Sequence, residues 1–165
     1  MNKVTLLIGG NQGDRRALME EATEQIRERI GSVVALSGVY ETEPWGEFED
    51  NPQAFLNRGL MVETTLSPWQ VLRTALAIEK DLGRQRSHLS PLTSPPSPRK
   101  YHSRPMDIDL IFYDDLVIDT PELTLPHPRM HLRRFVLEPL AEIIPDYRHP
   151  VMGKTIQQLC DSLGQ

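Results

Sequence analysis

The chain has 165 residues, 39% apolar and 25% charged, enough for one globular domain with its own core. Its apolar runs, such as Val4-Thr5-Leu6-Leu7-Ile8, fall far short of the roughly 20 residues a membrane-spanning helix needs, which excludes that class. A net charge of −5 argues against general affinity for nucleic acid, and the single Cys160 excludes an internal disulfide or a multi-cysteine zinc site.

Met1-Asn2-Lys3 passes straight into a strand-like segment with no secretory pattern, so the expected compartment is the cytoplasm. Lys3 to Ile8 reads as a buried strand that stops at a tight turn, Gly9-Gly10-Asn11. Leu18, Ala22, Ile26 and Ile30 then recur every four residues along a helix that begins near the N-cap candidate Asp14 and ends at Gly31. Val33 to Tyr40 and Phe55 to Glu63 read as two further strands around a loop containing Glu43-Pro44-Trp45-Gly46. Ser67, Pro68 and Gln70 are the cap, first position and box partner of a second helix, with Val71, Leu72, Ala75, Ile78 and Leu82 as its apolar stripe and Gly83 as its stop.

Residues from about 85 to 104, with Pro91, Pro95, Pro96 and Pro98 among serines, are expected to form a long mobile loop inside one domain, 1–165. Asp107 to Tyr113 reads as a strand, Val117-Ile118 as a short partner, and Phe135 to Ile143 and Thr155 to Leu163 as helices. The order strand, helix, strand, strand, helix, strand is the ferredoxin-like βαββαβ arrangement of the α+β class. It places helices on one face of an antiparallel sheet, with additional C-terminal helices.

Charge is unevenly placed. Arg84, Arg86, Arg99, Lys100 and Arg104 fall in a stretch with no acid, and Asp107, Asp109, Asp114, Asp115, Asp119 and Glu122 follow in one with no Lys or Arg. That pairing suits a metal-bound polyphosphate. Asp107 and Asp109 stand two apart on a strand, so their carboxylates share a face while Ile108 and Leu110 enter the core. Two like charges so placed suit paired Mg²⁺ ions against phosphate oxygens; the alternative is a solvated strand face. Arg84, Arg86 and Arg104 offer planar donor forks to phosphate, whereas Arg99 and Lys100 taken singly read as solvated surface charges. His127 and His131, four apart, are poor metal ligands across Pro128, and a phosphate contact from His127 and Arg133 fits better. Gly9 to Gly13 matches neither dinucleotide nor P-loop spacing. Trp45, in its loop, is the best candidate for gripping a planar heterocycle, while Phe55 and Phe135 taken singly read as core.

Together, Ile8-Gly9-Gly10-Asn11, Tyr40 to Gly46, Phe55-Leu56-Asn57, Ile78-Glu79, Leu82 to Arg86, Arg104 to Asp109 and Leu123 to Phe135 resemble, nearly end to end, the 6-hydroxymethyl-7,8-dihydropterin pyrophosphokinases of folate biosynthesis. The resemblance implies transfer of the β,γ-diphosphate of ATP to the pterin hydroxymethyl group, releasing AMP. It implies two Mg²⁺ ions on Asp107 and Asp109, with Arg84 and Arg104 also in the catalytic set. Arg84, Arg86, Arg104, His127 and Arg133 would clamp the triphosphate, with Glu79, Leu110 and Thr124 near the adenosine. Thr42, Pro44, Trp45, Phe55, Asn57 and Phe135 would form the pterin slot, covered by Tyr101. The chain departs from the family at Gly10, where serine is usual, and at Tyr101, which replaces a tryptophan often found near the loop's end. The implied partners are two small molecules and the implied state a monomer, with no nucleic acid and no membrane. Rival readings are a two-metal phosphodiesterase or nuclease using the same aspartates, and a non-catalytic ferredoxin-like binding module.

Overall fold

A computed structural model describes residues 1–11, 13–42, 54–87 and 106–163, with backbone alone over 84–87. The elements run β1 (Asn2–Gly10), α1 (Arg15–Arg29), β2 (Ser32–Leu36), β3 (Tyr40–Thr42), β4 (Phe55–Thr64), α2 (Pro68–Ser87), β5 (Asp107–Tyr113), β6 (Ile118–Asp119), β7 (Thr124–Leu125), α3 (Arg134–Ile143) and α4 (Ile156–Leu163). Among the described residues the main sheet is antiparallel, in order β2-β4-β1-β5, with β3 also paired to β4. This is the ferredoxin-like order expected from the sequence, with the first and third of its four long strands at the centre.

Alternation along the strands assigns the layers. Val4, Leu6 and Ile8 of β1 and Leu56, Leu60 and Val62 of β4 turn to one face, where they meet Met19, Ala22 and Ile26 of α1 and Val71, Ala75 and Ile78 of α2. Leu7 turns to the other face and joins Val136, Leu137 and Leu140 of α3 and Ile156 and Leu159 of α4. The expectation of helices on one face is therefore extended: the C-terminal helices cover the second face. A fully buried aliphatic side chain stabilises by roughly 1.5 to 3 kcal/mol, so each layer is held mainly by its own apolar stripe.

The helix starts follow the sequence. Asp14 caps α1 by accepting from the Ala17 N–H at 3.2 Å. Ser67 and Gln70 form a reciprocal box on α2, at 3.2 and 2.8 Å. Other boundaries differ. Gly9 and Gly10 remain in β1, paired with Asn57 and Leu56, so the turn comes later, at Gly13 with φ 64°. The single strand expected over 33–40 is two, parted at Ser37-Gly38-Val39. Gly83 does not stop α2, which continues to Ser87. The expected partner at Val117-Ile118 is β6, which pairs with β7 in a separate two-stranded sheet.

Candidate active site

The register brings the candidate residues into cross-strand rows. Tyr40 lies opposite Asn57, Asn57 opposite Gly9, and Gly9 opposite Asp107, so one row crosses β3, β4, β1 and β5. Thr42 lies opposite Phe55 on one side of this row, and Gly59, Leu7 and Asp109 form the row on the other. Directly opposed residues share a face, and Leu7 belongs to the α3 and α4 core, so all of these side chains turn to that face. At about 4.8 Å per strand interval, the backbones of Asn57 and Asp107 are about 10 Å apart.

Glycine is required in the middle of the row. A Cβ on Gly9 would stand 2.3 Å from Asn57 Oδ1 and 2.9 Å from the Leu56 carbonyl oxygen. The Asn57 side chain thus lies over the Gly9 backbone; the residue is 5% exposed, and its Nδ2 is buried without a hydrogen-bond partner among the described residues. Burying an amide unpaired is costly unless a partner completes it, so Asn57 Nδ2 is a donor that a bound polar group would satisfy. Sequence reasoning assigned Asn57 through resemblance but read Gly9 as a turn; a glycine inside a strand pattern is a signal of close approach.

The carboxylates stand on the outer strand of the sheet. Asp107 is half-buried and Asp109 exposed, with Ile108 between them turned into the α1 and α2 core. The Ile108 N–H points away from β1 and donates to Glu79 Oε2 of α2 at 2.6 Å. Glu79 therefore pins the strand between the two aspartates. Leu110, 6% exposed, buries its side chain in the same core, so only its backbone remains at this edge.

A bulge follows, because Leu6 pairs with Leu110 and Thr5 with Phe112, leaving Ile111 extra. Ile111 and Phe112 consequently both enter the α3 and α4 core. The Ile111 carbonyl accepts from the His127 N–H at 3.0 Å, which docks the segment after β7 against β5. His127 Nδ1 accepts the Arg129 N–H at 3.2 Å, so in the neutral ring the proton sits on Nε2. Burial, then the charges of Arg133 and Arg129, lower its pKa, which favours the neutral ring at pH 7 with its proton on Nε2. Arg133 precedes α3 and carries its guanidinium 5.7 Å from the Phe135 ring centroid, a cation over an aromatic face.

The structure thus brings Thr42, Phe55, Asn57, Asp107 and Asp109 onto one face, with Phe135 on the helix that covers it. Thr124 stands on β7, three residues before His127, and Arg84 and Arg86 stand on α2 beyond Glu79. Pro44, Trp45, Tyr101 and Arg104, together with Arg99 and Lys100, lie outside the described residues.

The donor set can be tested against the implied metal. Among the described residues no three His, Cys, Asp or Glu side chains gather to hold an ion. Two carboxylates on one strand face fit Mg²⁺ well, because that ion is held by one or two carboxylates and completes its shell with phosphate oxygens and water.

One face of this antiparallel α+β sheet thus carries a carboxylate pair and a buried amide. A family model described as 7,8-dihydro-6-hydroxymethylpterin-pyrophosphokinase (HPPK) matches residues 5–145, and the chain belongs to this family. It is 40% identical over 148 residues to the 2-amino-4-hydroxy-6-hydroxymethyldihydropteridine pyrophosphokinase of Porphyromonas gingivalis, spanning 89% of this chain and 93% of that one. It is 35% identical over 159 residues to the enzyme of the same name from Methylorubrum extorquens, spanning 96% and 91%. In fold it resembles the crystal structure of wild-type Plasmodium falciparum HPPK-DHPS, with TM-score 0.73, 17% identity, and coverage of 98% of this chain and 44% of that one. As a member of this family the chain is a pyrophosphokinase of folate biosynthesis, with ATP as co-substrate. A phosphodiesterase or a non-catalytic module gains no support from these relatives.

Proposed function

We propose that the rows described above divide the reaction between a pterin end and a phosphate end. The terminal diphosphate of ATP passes to the hydroxymethyl oxygen of 6-hydroxymethyl-7,8-dihydropterin. That oxygen attacks the β-phosphorus, the new O–P bond forms as the bridge between α- and β-phosphorus breaks, AMP leaves, and the hydroxyl proton goes to solvent. The observation that carries this reading is the row itself. Asn57, whose buried Nδ2 has no hydrogen-bond partner among the described residues, lies on β4 with its side chain over Gly9, and Asp107 lies two strands away. That span suits a fused bicyclic heterocycle with a one-carbon arm reaching toward phosphate.

At the pterin end, Asn57 reads the ring's polar edge, Phe55 and Phe135 supply aromatic faces, and Thr42 lines the slot, joined by Pro44, Trp45 and Tyr101. At the phosphate end, Asp107 and Asp109 hold two Mg²⁺ ions. When bound, these neutralise phosphate charge and stabilise the departing AMP oxygen. His127 donates Nε2–H to a phosphate oxygen as a neutral group, and Arg84, Arg86, Arg104 and Arg133 supply forked donors, with Arg84 and Arg104 acting on the transferred group. Glu79 holds β5 in place beside the adenosine. Ile108 sends its N–H outward, so by antiparallel alternation Leu110 presents its peptide groups at the same edge. Leu110 therefore meets the nucleotide through its backbone, with Thr124 nearby. The whole chain reads as one domain acting as a monomer on two small molecules in the cytoplasm. The net charge of −5 supports the absence of a nucleic-acid partner, and the single cysteine fits a reducing compartment.

Incubation with ATP, Mg²⁺ and the pterin, followed by product analysis, tests the reaction. AMP and pterin diphosphate should appear in equal amounts. ADP with a pterin monophosphate would overturn it.

A further inference from the structure

We propose that Glu142 is a positioning residue that sets the pterin slot by tying the entry of β3 to α3; this rests on the proposed function above. Glu142 stands on the last turn of α3, at the opposite end of the helix from Phe135. Its Oε1 accepts the Tyr40 O–H at 2.8 Å, and its two oxygens accept the Gly38 N–H at 3.1 and 3.3 Å. One carboxylate thus gathers two donors from the three-residue stretch Gly38 to Tyr40. Tyr40 lies directly opposite Asn57, and two residues later Thr42 lies opposite Phe55. The tether therefore fixes the strand that walls the slot relative to the helix that carries Phe135.

Packing does not need this tether. Gly59 already accepts α3 closely, since a Cβ there would stand 2.9 Å from Leu140 Cδ2, and Val136, Leu137 and Leu140 are buried. Ser37 separately ties the same turn to β4, because its N–H donates to the Gly59 carbonyl at 2.9 Å and its Oγ accepts the Gly59 N–H at 2.9 Å. Glu142 itself is exposed. A charged, exposed side chain with three close donor contacts on one short stretch is placed to aim that stretch. The hydrogen bond to Glu142, followed by burial and the carboxylate's charge, pushes the Tyr40 phenol up to about 12, so Tyr40 remains the donor.

The experiment measures kcat, KM for the pterin, Kd for an inert ATP analogue with Mg²⁺, and thermal stability in Glu142→Ala, Glu142→Gln and Tyr40→Phe. Hydrogen bonds to a charged partner at an exposed site justify an expected rise of about five- to tenfold in pterin KM for Glu142→Ala. Tyr40→Phe should show part of that rise. ATP-analogue affinity should stay within about twofold, the ratio of a mere few tenths of a kcal/mol. Glu142→Gln should restore pterin KM, because one amide oxygen can accept both donors. Equal weakening toward both substrates, or an unchanged pterin KM, would sink the tether. Should Glu142→Ala fail to fold, Tyr40→Phe, which removes a single oxygen, gives the same reading. A wild-type protein that never converts the pterin would instead defeat the proposed function, and the tether with it.

Discussion

Asp107 and Asp109 sit on one strand face, yet their neighbours differ: Asp107 closes the row through Gly9 to Asn57, and Asp109 lies beside Leu7. Asp109 is exposed and contributes no side chain to either core, so its removal should be a chemical loss and not a folding one. Asp109→Ala should cut turnover by about 10³-fold or more, as expected for several kcal/mol of lost charge stabilisation. Its melting curve should stay within about 0.5 kcal/mol of wild type. Steady-state rates beside a thermal melt check this, and near-normal turnover would reject the metal role. The shared face of these two aspartates was legible because strand side chains alternate with period two. The same rule put Leu110 in the core, where it is found, so the proposed nucleotide contact falls to its backbone. Glu142 was not legible, since its donors lie about a hundred positions earlier and only tertiary packing joins them.

Between elements, the sequence rules worked where a local hydrogen bond decides the outcome and failed where a distant surface does. Asp14 and the Ser67 and Gln70 box cap their helices as read, because the cap partners lie within three residues. Glycine was less informative, since its roles look alike in sequence. Gly31 follows α1 as expected but without a left-handed backbone; it is there because Glu63 of β4 comes close, and a Cβ would stand 2.0 Å from that carbonyl oxygen. Gly83 lies inside α2, and among the described residues nothing stands within 4 Å of its Cβ position. The two substitutions should therefore act in opposite directions. Gly83→Ala should stabilise by about 0.5 to 1 kcal/mol through helix propensity, and Gly31→Ala should destabilise by about 3 kcal/mol through a backbone clash. Denaturant unfolding separates them, and a destabilised Gly83→Ala would mean that the helix does not run through that position. The break between β2 and β3 was missed because Val33 to Tyr40 carries enough β-branched and apolar residues to read as one strand. The stretch Ser37 to Tyr40 instead spends its donors on Gly59 and Glu142.

The molecule as a whole depends on a second layer that no single element reveals. The bulge at Ile111 turns Phe112 to the α3 and α4 face, where its ring meets Tyr147 at 4.5 Å and His149 at 5.7 Å between centroids. His149, 5% exposed, closes the turn between those helices. Its Nδ1 accepts the Val151 and Met152 N–H groups at 3.1 and 3.0 Å, and its own N–H donates to the Lys154 carbonyl at 2.8 Å. Protonation would convert Nδ1 from acceptor to donor and set it against both amides. Burial, then the charge of His131, lowers the His149 pKa from the usual 6.5, and burial likewise heads the causes at His127. A histidine whose folded pKa lies below its unfolded one contributes stability that is fully present above about pH 6.5. That contribution is lost as pH falls from there through the folded value, because the unfolded chain binds the proton more readily. Thermal stability should therefore decline on acidification below pH 6.5. His149→Asn offers an oxygen where Nδ1 stands and cannot titrate. It should be less stable at pH 7.5, having lost the ring edge on Phe112, yet its stability should fall less steeply between pH 7 and 5. Melting temperatures of the two proteins across that range make the comparison. Parallel curves would mean that the C-terminal layer does not respond to His149.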